Sequence, residues 1–391
     1  MYKPHIIIIG AGIIGLSTAY ALLQQGQVQV TVLEQETVDH RRGSSHGTSR
    51  LLRFEYGVDR FYSEMVYKSL QRWQQLERQT DRQLYTATGI LLMGNEHDNY
   101  TKPSYVTLQE LGMTPEYLTP QACQRRFPQF STQGYDTILY NINAGILHAS
   151  QCLQTLKECI IHLGGTILEH HHVTRVDHDN HHLPITLHLN TGETLTAERL
   201  VIATGPWIQH LLEDLQLPVR VTCQYLLYFA GLEQAAFSTP AFPAFMADEL
   251  YGFPLQPSPQ IAGAFWLKAA SHTFGAIVNP EEPLTIDQHV VNQIVRRLYT
   301  VIPALRHARL AEVEAYMYDV SNDEDFILDY HPHDQRIVLA TGLSGHAFKF
   351  GLLLGEMVSV LVQERSVDRS LKHFQLTRFA THWQSKANSL A

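Results

Sequence analysis

Three separated segments carry side chains suited to one kind of chemistry. GSSHGTSRLLRFEYG, residues 43–57, places His46 and Ser49 in a loop of small polar residues and follows them with Arg50 and Arg53. FWLKAASHTFG, residues 265–275, sets Lys268 and His272 four apart among apolar and small neighbours. LSGHAFKFG, residues 343–351, puts His346, Phe348 and Lys349 at the mouth of an apolar helical stretch. Small polar residues let a backbone approach a ligand closely, and two guanidiniums this near each other repel unless an anion faces them. Lys268, flanked by Trp266, Leu267, Ala269 and Ala270, makes a poor surface lysine. Cations in such surroundings suit the grip on an acid, or the stabilisation of negative charge that develops during a reaction.

A different device opens the chain. HIIIIGAGIIGLSTAYALLQQGQVQVTVLEQ, residues 5–35, reads as strand, tight turn, helix, strand. Gly10 permits the turn, Gly12 and Ile13 bring a pyrophosphate to the helix N-terminus, and Gly15 lets helix and strand pack closely. Glu34, ending the second strand, suits ribose hydroxyls and disfavours the 2′-phosphate of NADP. The motif does not separate NAD from FAD. RLVIATGPW (199–207) and RIVLATGLSG (336–345) each run from an apolar strand into Ala-Thr-Gly, which places Gly205, Gly342 and Gly345 at strand-to-loop junctions. Ligands of parallel sheets bind beyond such junctions.

These parts need a scaffold of more than one average domain, and 391 residues supply it. Helical spacing covers Phe61–Arg78, Leu153–Leu163, Gln288–Leu298 and about Phe348–Gln363, whereas residues 86–143 read as mixed and turn-rich. Residues 166–198 alternate in short runs that suggest antiparallel strands. Sheet strands at both ends and in the middle of the chain imply two interleaved domains. A Rossmann-like α/β cofactor domain takes residues 1–85, 146–220 and 318–391. An antiparallel-sheet substrate domain takes 86–145 and 221–317. A net charge of −9 without blocks of Lys or Arg argues against a nucleic-acid partner. Gly10, Gly12 and Gly15 interrupt the N-terminal apolar run, which argues against an export signal or a membrane span. Four cysteines without a CxxC motif fit a reducing, cytoplasmic setting. EHHHVTRVDHDNHH, residues 169–182, has metal-binding ingredients, but on a strand His170 and His172 face one way and His171 the other, so a solvated hairpin is expected and no metal site.

The three segments, with GAGIIG, YGFP (251–254) and MYDVSNDEDFILDYHP (317–332), resemble in order the monomeric sarcosine oxidase and N-methyltryptophan oxidase family of FAD-dependent amine oxidases. The resemblance spans nearly the whole chain. It implies that Arg53 and Lys349 grip a substrate carboxylate, with Tyr251 and His272 near the substrate amine. It implies that Arg50 lies close to the flavin ring and favours its reduced, anionic form, with His46 and Ser49 nearby. Lys268 matches the family lysine that activates oxygen, and the loop holding Gly345, His346, Phe348 and Lys349 matches the flavin's pyrimidine edge. The implied reaction oxidises a secondary or N-methyl amino acid to an imine and reduces O₂ to hydrogen peroxide, and the resemblance leans towards a monomer.

One departure matters. Covalently flavinylated members carry a cysteine immediately before the Met-Tyr pair that matches Met317-Tyr318, where this chain has Tyr316. A phenol replaces a thiolate poorly in that linkage, and the nearest cysteine in sequence is Cys223, so FAD is expected to be non-covalent. Rival readings are a D-amino acid or glycine oxidase, an amino-acid dehydrogenase with an acceptor other than oxygen, and a flavin-binding sensor without turnover. Phe229, Phe242, Phe245 and Phe253 are candidates to line the side-chain pocket.

Overall fold

The computed structural model describes residues 2–178, 183–212, 215–364 and 369–379. Ile6 to Ile9 are β-branched and apolar on both faces, a pattern that suits a strand covered above and below. They form the strand His5–Ile9, none more than 5% exposed. It lies inside a six-stranded sheet ordered Ile327–His331, Asp334–Thr341, Arg199–Ile202, His5–Ile9, Gln29–Leu33 and Thr166–Leu168. All neighbours are parallel except the first two, which form a hairpin. The two Ala-Thr-Gly segments therefore leave adjacent strands at the same edge, since Leu200 pairs with Ile337 in register. Helix Ile13–Gln24 and the almost wholly buried helix Gly351–Val362 cover one face.

The second sheet has nine strands and carries Tyr251, Lys268, Tyr316 and Tyr318. Its longest pair is Val219–Ala230 with Arg309–Ser321, antiparallel and almost fully in register. An isolated bridge between Val320 and Leu343 ties this pair to the loop that follows the first sheet. Residues 86–143 are more regular than expected: Ile90–Gly94 and Thr137–Asn141 are strands of this sheet, buried at every position. A strand covered on both faces shows no alternation, which is why ILLMG and TILYN gave no strand period. Helix Arg60–Thr80 has the expected stripe, burying Tyr62, Met65, Val66, Trp73 and Leu76, and Asp59 caps its start by accepting from the Tyr62 N–H at 3.1 Å.

One expectation fails here, and a second holds in part, since Val173–Asp177 and Ile185–Leu189 pair as the expected antiparallel hairpin while Glu169 to His172 lie outside its strands. Phe229, Phe242 and Phe245 sit in a separate core beneath the second sheet, where Phe242 stacks on Phe130 with ring centroids 4.6 Å apart. Of the four, only Phe253 reaches a cavity that holds the candidate residues. Glu169 and His170 lie in a turn, with His170 at φ 61°, and the next strand begins at Val173. Glu169 is taken by Lys157 at 2.8 Å and by the Val38 N–H at 2.7 Å. His181 and His182 lie outside the described residues.

Candidate active site

The nucleotide end of the site is built from backbone. Gly10 has φ 102°, and a Cβ there would lie 2.4 Å from the Ala203 carbonyl oxygen, so only glycine closes the turn against the neighbouring strand. A Cβ on Gly15 would lie 1.9 Å from the Gly10 oxygen. Buried Glu34 accepts the Ala11 N–H at 2.9 Å, and Ser45 Oγ accepts the Ile13 N–H at 3.0 Å, so the loop 43–46 closes over the helix start. Together they bound a cleft of about 370 Å³ lined by Gly10, Gly12, Ile13, Glu34, His46, Gly205, Trp207 and Asp319, among others. Burial pushes the Asp319 carboxyl up to about 6. No lysine or arginine lines this cleft among the described residues.

A smaller cavity of about 60 Å³ is built from side chains. Ser49, Arg50, Arg53, Tyr251, Phe253, Lys268, His272, Tyr316, Tyr318, Gly345, His346, Phe348 and Lys349 line it. The geometry thus brings together residues from the start, middle and end of the chain. Arg50 donates to the Ser44 and Ser49 carbonyls at 2.8 and 2.9 Å and to that of His46, which folds the opening loop around its guanidinium. Lys268 is 1% exposed and donates to the Ser49 carbonyl at 2.7 Å, its ammonium 4.6 Å from the Phe253 ring centre. Burial, with the Arg50 charge adding to it, holds Lys268 well below the usual lysine range. Tyr251, Tyr316 and Tyr318 form a chain of hydroxyls spaced 3.2 and 3.1 Å. Gly345 presses on this chain: φ is 72°, and a Cβ would lie 2.4 Å from the Tyr318 ring.

Arg53 and Lys349 stand side by side in the wall. Arg53 donates to the Glu55 carbonyl and to the Tyr100 hydroxyl, with its guanidinium carbon 4.5 Å from the Tyr56 ring centre. Lys349 donates to the Tyr56 hydroxyl at 2.7 Å and to the His346 carbonyl at 3.0 Å. Its own carbonyl accepts from Trp73 Nε1 at 2.8 Å and from Ser69, so helix Arg60–Thr80 pins it. Burial, then Arg53, lowers Lys349 far below its ordinary value. Burial and the two cations bring His272 down to about 4, so its imidazole is neutral at pH 7. A third cavity of about 660 Å³ shares Arg53, Met246, His272 and His346 with the second and opens outward between Tyr62, Asp98, Asp248 and Asp323–Asp325.

Several expected residues take other places. His46 lines the first cleft and is held through Nδ1 by the Asp39 carbonyl at 2.8 Å and the Asp39 carboxylate at 2.9 Å. Gly342 lines none of these cavities, whereas Gly15 packs the helix against the strand as its spacing implies. Cys223 lies directly opposite Met317 across the long strand pair, nearer Tyr316 than sequence distance implies. Its side chain belongs to the face shared by Met317, Trp207 and Val221, whereas Tyr316 shares the other face with Leu226 and Tyr228. Missed residues include Ser45, Thr204, Trp207, Asp319, Tyr56, Glu55 and Tyr318. Ser45, Glu55 and Tyr56 lie inside the opening motif, and Thr204 and Trp207 inside RLVIATGPW, so the motifs themselves were the available signal.

The buried polar atoms Ser49 Oγ, Thr204 Oγ1 and Trp207 Nε1 have no hydrogen-bond partner, and all three residues line these cavities. Orphaned donors on both the nucleotide side and the cation side fit one elongated polar group bridging them. Comparison with known proteins points the same way. Residues 5–361 match the family model described as FAD dependent oxidoreductase. The chain is 34% identical over 387 residues to peroxisomal sarcosine oxidase of Mus musculus, covering 96% of each chain. It is 28% identical over 395 residues to monomeric sarcosine oxidase of Bacillus sp. (strain B-0618), covering 95% of each. In fold it is similar to L-proline dehydrogenase from P. horikoshii, with a TM-score of 0.82 at 18% identity over 97% of this chain and 98% of that one.

Proposed function

The chain belongs to the FAD dependent oxidoreductase family, and from that premise we propose that it oxidises a secondary or N-methyl amino acid at the carbon–nitrogen bond. It is an FAD-dependent amine oxidoreductase. The first cleft fits the nucleotide half of FAD: Gly10, Gly12 and Ile13 at a helix N-terminus, Glu34 at the second strand end, and the unpartnered Thr204 and Trp207. FAD, when bound, supplies the two-electron acceptor for the substrate's C–H bond.

This chain's residues supply position and charge. Arg53 and Lys349 neutralise and orient the substrate carboxylate, and both are released from part of their burial cost when it arrives. Tyr251 and neutral His272 flank the amine, which must be unprotonated to lose its electrons. His272, neutral down to about pH 4, does not oppose that state. The resulting imine is hydrolysed by water. Lys268 stands where electrons pass on to O₂ to give hydrogen peroxide, and its ammonium form would stabilise the negative charge that develops there. The third cavity gives the substrate's side chain room outward from Arg53. FAD is held non-covalently: Tyr316 stands where the linkage would need a thiolate, its phenol proton is held firmly by burial, and Cys223 faces away. The monomeric state and cytoplasmic location expected from the sequence stay part of this proposal.

The observation that carries the reading is the pair of buried cations, Arg53 and Lys349, in the wall of the cavity that also holds Lys268 and His272. Its test is an anaerobic titration of the yellow protein with sarcosine, N-methyltryptophan, pipecolate, proline, a fructosyl amino acid, glycine and D-alanine. An N-substituted member bleaches the flavin band, and peroxide appears when air is admitted. Bleaching only by glycine or D-alanine overturns the substrate class, and bleaching without reoxidation by air overturns the acceptor. Acid precipitation releases the yellow colour into the supernatant. Colour left in the pellet overturns non-covalent attachment.

A further inference from the structure

Behind the cation pair lies a carboxylate that contacts no cavity. Glu55 is 0% exposed and does not line the three cavities described above. One carboxylate oxygen accepts from Asn141 Nδ2 at 2.7 Å. Asn141 Oδ1 accepts the Asn143 N–H at 3.1 Å, which fixes the direction of that amide. The other oxygen, Oε2, is buried without a hydrogen-bond partner. A lone ionised carboxylate in such a place is strongly disfavoured unless charge compensates it.

The compensating charges are the clamp's own. Glu55 is attracted to Arg53 on its own segment and to Lys349 from the turn before helix Gly351–Val362. The remaining titratable neighbours are Tyr56 beside Arg53, Tyr100 at the start of helix Thr101–Glu110, and Tyr85 on the short strand Tyr85–Thr86, with Glu77 beyond it. The Glu55 peptide is locked, because its carbonyl accepts from both Arg53 and the Tyr100 hydroxyl. Two cations are therefore shared between an acid behind the wall and any acid that arrives in front of it. Like charges competing for one site cannot both stay ionised at ordinary cost, and the more deeply buried one yields. Burial already pushes Glu55 above the usual carboxylate range, opposed by Asn141, its own backbone N–H, Arg53 and the Phe54 N–H.

We propose that Glu55 is the internal counter-ion of the carboxylate clamp, balancing Arg53 and Lys349 in the free enzyme and taking up one proton from solvent on Oε2 when a carboxylate enters. No covalent bond to carbon changes. Glu55 is thus a positioning residue that acts through the clamp. Carboxylate affinity then falls as pH rises wherever free Glu55 is ionised, by at most about tenfold per pH unit.

The inference rests on the reading of Arg53 and Lys349 as a carboxylate clamp. Its test is calorimetric titration of the FAD-loaded protein with acetate, and with acetamide as the neutral isostere, in two buffers of different ionisation heat. The wild type binds acetate with uptake of up to one proton and prefers it to acetamide. Glu55→Gln binds acetate at least as tightly, takes up no proton and loses the pH dependence. Equal binding of acetate and acetamide defeats the clamp reading itself. Acetate binding without proton uptake, or uptake that persists in Glu55→Gln, defeats the role of Glu55 and leaves the clamp standing. Infrared difference spectra with ¹³C-acetate need no variant: a protein band from a protonated carboxyl appears on binding, and its absence overturns the proposal.

Discussion

The two ends of the site meet negative charge by opposite means. The nucleotide cleft has no lysine or arginine in its described lining, whereas the smaller cavity has Arg50, Arg53, Lys268 and Lys349. On the proposed reading the first would rely on backbone N–H groups at a helix start, fixed dipoles that need no counter-ion and tolerate burial. The second gathers whole charges in a buried space, where each is costly until an anion arrives. A cofactor that stays bound is served by dipoles. A substrate that must arrive, react and leave is served by charges whose cost it relieves.

The largest effect separates the two ends outright. Gly15→Val drives side-chain atoms into the Gly10 carbonyl, and the protein is expected to lose bound flavin or fail to fold, read from the flavin-to-protein ratio and the melting curve. Lys349→Met should keep its flavin and lose about 10²–10³-fold in kcat/KM, the scale of truncating one partner of a buried charge pair. A variant of Lys349 that lost flavin first would break the contrast. Lys268→Met splits the cation cluster further: reoxidation by O₂ slows about 10²–10³-fold in stopped flow, while anaerobic bleaching by substrate stays within about threefold.

Legibility followed the same division. GAGIIG announces the nucleotide end because one short segment contains nearly all of its geometry, and Gly10, Gly15 and Glu34 take the places their spacing implies. The cation cavity draws on residues from 49 to 349, and no local period links them. They were reachable only through the resemblance of whole motifs. The misplaced phenylalanines show the limit: Phe242 and Phe253 each precede a proline outside the strands, and only tertiary packing decides which one faces the cavity. Glu55 lies inside the opening motif but was passed over for another reason, since a carboxylate in FEYG reads as surface charge until its burial is known.

Smaller effects sharpen the comparison. His272 has its folded-state value lowered to about 4, so it is neutral between pH 6 and 9, and His272→Gln is expected to leave the shape of the kcat/KM profile in that window unchanged. A limb lost in the variant would make His272 a titrating base. Tyr316→Phe is expected to do least, removing the middle hydroxyl of the tyrosine chain, with flavin still released by acid and kcat altered by less than about fivefold.

The outer cavity has a consequence for descent. Its floor is Arg53 and His272, tied into the buried cation cluster, but its rim comes from turns holding Asp98, Asp248 and Glu324, the last two at φ 52° and 66°. Substitutions on the exposed turns disturb less packing than a change in the floor, within the set of residues that the left-handed backbone at Asp248 and Glu324 admits. Lineages sharing this scaffold can therefore acquire new diets by editing the doorway while inheriting the machinery behind it unaltered.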